Sequence, residues 1–175
     1  DDHLAAYNAV HDLINNDYKK IGLITTVDYV SVGKLRTDGY LKALKSNDIK
    51  IDENLIIKIE DIENCTEPIE ELIASQRPEA IFAVNELFAV TAIKAAKKLN
   101  IKVPEELAVI GFTDGIISTY SSPSITTVSQ NGIKMGNKAA QMLIERLESE
   151  EDEEHYKTEV IETHLVLRES TLPLK

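Results

Sequence analysis

Apolar, β-branched runs alternate with amphipathic stretches along most of the chain. The runs at 21–25 (IGLIT), 55–59 (LIIKI), 80–84 (AIFAV) and 107–112 (LAVIGF) read as strands. Between them the stretches 34–46, 66–76 and 87–99 read as helices. In the last of these, Ala89, Ile93, Ala96 and Leu99 share one face and Lys94, Lys97 and Lys98 the other, and the pattern stops at Asn100 before Pro104. An opening helix over roughly 3–15 puts Ala6, Val10, Leu13 and Ile14 on one stripe. This alternation predicts an α/β fold of three layers, a parallel sheet with helices on both faces.

After Asp114 the rhythm changes. The segment SSPSITTVSQ (121–130) predicts a connector containing Pro123 followed by a short strand. A helix over about 132–147 follows, with Ile133, Gly136, Ala140, Leu143, Ile144 and Leu147 along one side. Met135, Ala139 and Met142 widen that stripe beyond what one flat sheet face requires. The alternation in EVIETHLVLRES (159–170) predicts a strand rejoining the sheet near its edge.

At 175 residues, 43% of them hydrophobic, the chain is one domain, or one and a piece, able to bury a core without staples. No apolar run approaches the roughly 18 residues that span a bilayer, and the start DDHLAAYNAV lacks a basic-then-apolar leader pattern, so a cytoplasmic location and no membrane partner are expected. Cys65 is the single cysteine, which excludes an internal disulfide or a thiolate metal cluster. A formal net charge of −11 repels a phosphate backbone, so the chain is not expected to bind nucleic acid by itself. The acidic run ESEEDEE (148–154) reads as a solvated loop. His3, His11, His155 and His164 have no metal-ligand spacing, and the sequence shows no serine elbow, P-loop or GxGxxG. Neither an enzyme nor a metal or cofactor site is expected.

The block VPEELAVIGFTDG (103–115), followed about ten residues later by SITTVSQ, resembles the carboxyl-terminal half of LacI/GalR-type transcriptional regulators. DDHLAAYNAVHDLINNDYKKIGLIT, GKLRTDGYLKAL and IFAVNELFAVTAIKAAKKL agree in the same order, so the similarity covers nearly the whole chain. The resemblance implies a type I periplasmic-binding-protein fold, two α/β lobes that close on a small sugar-like effector and pair as a homodimer. Residues 1–122 and 157–172 match its second lobe, and 123–156 match a crossover strand, helix and acidic loop belonging to the first. In such proteins the remainder of the first lobe and the DNA-binding headpiece precede the position matching residue 1, so DNA would be met only through a headpiece absent from this chain. A free periplasmic-type sugar-binding protein is the alternative. With half the cleft absent, this chain alone is expected to bind effector weakly or not at all. The 132–147 helix is expected to cover its stripe against a second copy or its own sheet edge.

Arg36, in GKLRTDGY, matches the family arginine that forks onto effector hydroxyls or carboxylates; the residues alone also allow a surface arginine pairing with Asp38 or Glu60. Asn85, between a strand and a helix, either caps that helix or faces the cleft, and Glu86 reads as a first-turn charge. At the VIGFTDG turn, relatives often carry two aspartates where this chain has Thr113 and Asp114. Thr113 accepts a sugar hydroxyl without charge, while Asp114 either touches ligand or braces the turn. Tyr29 and Phe88 offer rings for stacking or for the core, and Val30 and Val32 make the cleft wall more apolar than serine or threonine would.

Overall fold

The computed structural model describes residues 1–149 and 157–171. The four apolar runs form β1 (Ile21–Thr26), β2 (Ile56–Ile59), β3 (Ala80–Ala83) and β4 (Ala108–Thr113). The later strands are β5 (Thr126–Ser129) and β6 (His164–Val166). The helices are α1 (Asp2–Asn15), α2 (Ser31–Ser46), α3 (Thr66–Gln76), α4 (Glu86–Lys98), α5 (Ile116–Tyr120) and α6 (Gly132–Glu148).

One sheet runs β2-β1-β3-β4-β5-β6. Its first five strands in that order are mutually parallel, with Leu23 beside Phe82 and Phe82 beside Ile110. Only β6 is antiparallel, placing Leu165 beside Val128. Parallel strands buried on both faces read as near-continuous apolar runs, and Leu23, Ile24, Ile81, Phe82, Val109 and Ile110 are all fully buried. Each such Leu, Ile or Phe contributes about 1.5–3 kcal/mol relative to exposure. Helices α1 and α2 pack together, as do α3 and α4. Gly39 permits the first pairing, because a Cβ there would press on the His3 carbonyl and lie 2.8 Å from the Ala6 methyl. Tyr40, buried in the same layer, donates its hydroxyl to the Ile21 carbonyl at 2.8 Å.

Three features differ from the pattern-based expectation. The 159–170 stretch is a strand only at His164–Val166. Its partner β5 is four residues long, so the rest of the stretch has little ladder to join. Side chains anchor the segment after β6 instead: Ser170 Oγ donates to the Val109 carbonyl at 2.6 Å and accepts from Thr126 N at 2.8 Å. Helix α5 carries no amphipathic signal and is held from outside, as described below. Helix α6 does not fold back onto the sheet edge: it buries none of its side chains, and Ile133 and Leu147 are 85% and 76% exposed. Residues 150–156, most of the acidic run, lie outside the described residues.

Two predictions follow from this packing. Gly39→Ala should destabilise the protein by about 1–3 kcal/mol in urea denaturation, through overpacking of α1 against α2; an unchanged midpoint would contradict that contact. Glu79 accepts the backbone N–H groups of Lys19 and Lys20 at 2.8 and 2.9 Å, and these bonds hold its carboxyl below the usual range. A depressed folded pKa stabilises above the unfolded value of about 4.3 and is lost as pH falls through the folded one. The stability gap between wild type and Glu79→Gln should therefore be full near neutrality and shrink with acidification below about pH 4.3, as followed by thermal melts across that range.

Candidate ligand site at the sheet rim

Because β1, β3 and β4 run parallel, the loops leaving their carboxyl ends meet at one edge of the sheet, where open α/β folds bind ligands. Arg36 lies in the second turn of α2 and reaches across this edge. Its Nη1 donates to the Val84 carbonyl at 2.6 Å, and Nε and Nη2 both donate to Asp2 Oδ1, at 2.8 and 2.6 Å. The guanidinium also stacks on Phe112, with Cζ 3.7 Å from the ring centroid. It is buried and pairs with neither Asp38, which bonds Lys34, nor Glu60. Burial lowers its pKa, and the hydrogen bond and charge of Asp2 oppose that shift. Arginine nevertheless stays charged.

Asn85 follows β3 directly and caps α4, its Oδ1 accepting Phe88 N at 2.8 Å. The cap uses only the carbonyl, so the amide nitrogen remains available at the rim. Thr113 and Asp114 end β4 with φ of 109° and 60°, two consecutive non-glycine residues in the left-handed region. A β-branched residue rarely adopts it, and such strain gathers at functional turns. Thr113 is exposed, while Asp114 Oδ1 accepts from Thr127 Oγ1 at 3.0 Å and Arg168 Nη2 at 2.6 Å. Tyr29, in the loop before α2, is 79% exposed and has a free ring face; Val32 is also exposed and Val30 half-buried. Phe88 is fully buried, so its ring serves the core and offers no stacking face.

The backbone ties these groups together. Arg36 bonds the residue before Asn85 and stacks on Phe112, the residue before Thr113. One edge thus carries a guanidinium, an amide and a carboxylate. Three contributors escaped the sequence reading: Asp2, Thr127 and Arg168. No spacing signal links residue 2 to 36 or 114 to 168, since each pairing depends on sheet order. Glu86 does more than charge the first turn of α4. Its Oε1 accepts Ser118 N at 2.7 Å and Ser118 Oγ at 2.6 Å, fastening α5 beside the turn. Gly115 makes room for that carboxylate, since a Cβ there would lie 2.9 Å from Glu86 Oε1.

A doubly wound sheet with a polar rim at its strand ends is the architecture of a periplasmic-binding-protein-like α/β lobe. Residues 10–171 match the periplasmic binding protein-like domain, and the chain belongs to that family. It is 33% identical over 174 residues to the ribose operon repressor of Haemophilus influenzae, covering 98% of this chain and 52% of the repressor. The regulator CelR in complex with cellobiose superposes with a TM-score of 0.86 at 28% identity, over 97% of this chain and 52% of CelR. A sugar-binding LacI-family regulator from Escherichia coli, complexed with phosphate, gives 0.86 at 27% identity, over 98% and 62%. The relatives are LacI-type regulators, and the chain spans about half the length of the curated relatives it matches.

Removing the acid that faces Arg36 leaves a buried cation without its carboxylate. Asp2→Ala should cost about 2–4 kcal/mol in urea denaturation, and adding Arg36→Met should recover part of it, because the uncompensated charge leaves with the arginine. Additive losses would show the pair to be uncoupled.

Proposed function

We propose that this chain is the effector-sensing part of a LacI-type transcriptional repressor that answers a small sugar-like molecule in the cytoplasm. What supports this reading is that Arg36, Asn85 and Asp114 belong to segments at the strand ends of a fold shared with sugar-binding regulators. The guanidinium N–H groups that Asp2 and Val84 leave unused, an amide and a carboxylate suit the vicinal hydroxyls of a sugar, with Tyr29 able to cover an apolar ring face. The repressors and regulators among its relatives favour this over a free sugar carrier. Among the described residues no helix is long and apolar enough to cross a membrane, and no group of His, Cys, Asp or Glu could hold a metal ion.

In this reading DNA is contacted by a separate headpiece, consistent with the charge of −11 on this chain. The effector acts by its difference in affinity for two arrangements of the regulator. A homodimer fits the exposed Ile116, Ile117 and Tyr120 of α5 beside Leu87 of α4. No charged residue lies between 115 and 125, so two strongly acidic chains could meet there with little local repulsion.

Calorimetric titration of the complete regulator with D-ribose and cellobiose tests the sensing role. Arg36→Lys should weaken binding by about 10- to 100-fold, the loss expected for hydrogen bonds to a charged group, whereas unchanged affinity would remove Arg36 from the site. This chain alone should bind either sugar weakly or not at all, and a submicromolar Kd would contradict that. Sedimentation should show a dimer that Tyr120→Asp converts to monomer.

A further inference from the structure

Arg168 lies two residues beyond β6, far from the other rim residues in sequence, yet its guanidinium closes on the Thr113–Asp114 turn. Nη2 donates to Asp114 Oδ1 at 2.6 Å. Nη1 donates to the Ile125 carbonyl at 2.9 Å and to Thr127 Oγ1 at 3.0 Å. Thr127 Oγ1 in turn donates to the same Asp114 oxygen at 3.0 Å. The planar head is therefore fixed by acceptors on β5 and on the turn, and both donors to Asp114 converge on one oxygen. The pair is largely shielded, with side-chain exposures of 18% and 22%. The turn it meets holds two non-glycine residues at positive φ, a geometry that persists only when its surroundings enforce it.

We propose that Arg168 is a positioning residue of the ligand site: by engaging Oδ1 it holds the Thr113–Asp114 turn and leaves Oδ2 as the acceptor presented to a ligand hydroxyl. This rests on the reading of the rim as a sugar site. The same contact ties the turn to the strand by which the chain returns from α6, so a ligand drawing on Asp114 also bears on that return segment.

Two readouts separate this proposal from the reading beneath it. The first needs no ligand. Amide exchange at Gly115 and Ile116 should accelerate by about tenfold or more in Arg168→Gln. Arg168→Lys, which keeps a cation for Oδ1, should recover part of the protection. Glu169→Gln, which instead loosens the acceptor of Ser124 N, should leave both amides unchanged. Exchange at the turn that is the same in Arg168→Gln as in wild type overturns the positioning role whatever binds. The second is a magnetic resonance titration of the complete regulator with D-ribose and with cellobiose at millimolar concentration. Arg168→Gln and Asp114→Asn should each weaken binding by a similar factor and the double variant no further, because one residue acts through the other. Additive losses, or full affinity in Arg168→Gln, overturn the proposal. Full affinity in Asp114→Asn, or no binding of either sugar, overturns the ligand-facing role of Oδ2, and the exchange result still decides whether Arg168 holds the turn.

Discussion

The parallel register of β1 through β5 is the constraint on which the remaining structure depends. Parallel neighbours cannot be joined by tight hairpins, so each connection returns over a face and each strand finishes at the same edge. That places the start of α2, the cap of α4 and the Thr113–Asp114 turn side by side, although they are separated by dozens of residues. A single antiparallel strand inserted among them would send one group to the opposite end of the sheet.

Two ion pairs then set how the rim chemistry is presented. Asp2 orients Arg36, and Arg168 orients Asp114. In each case the rim residue is held by a partner from an end of the chain, the start of α1 or the segment after β6. Partly desolvated pairs of this kind are of modest net value, because the Coulomb gain offsets the lost hydration, but they fix direction. The stacking of Arg36 on Phe112 adds a rigid floor that a lysine could not use.

Apolar surface is distributed unevenly. The core beneath the rim is complete, while α5 and α6 leave Ile116, Tyr120, Ile133 and Leu147 open to water. The two cases differ in setting. Helix α5 is fastened by Glu86 within an uncharged stretch, whereas α6 stands away from the sheet with every apolar side chain exposed but the half-buried Met142. A stripe as wide as that of α6 has a cost in water that only further protein surface removes.

Local pattern was enough for the central strands and long helices, because burial on two faces favours apolar runs and packing on one face demands a helical stripe. It was enough, with the family resemblance, to nominate Arg36, Asn85 and Asp114. It was not enough for α5, whose five residues are held by a carboxylate from α4, nor for the short β6, which is limited by the length of its partner. Nor was it enough to separate Phe88, sealed in the core, from Tyr29, open on a loop. The amino-acid sequence by itself determined the layers and the residue types available at the rim, since these follow from interactions within a few residues. Only the tertiary structure decided that Arg36 turns to Asp2 and Asp114 to Arg168, because such pairings depend on distances across the sheet that no local spacing encodes.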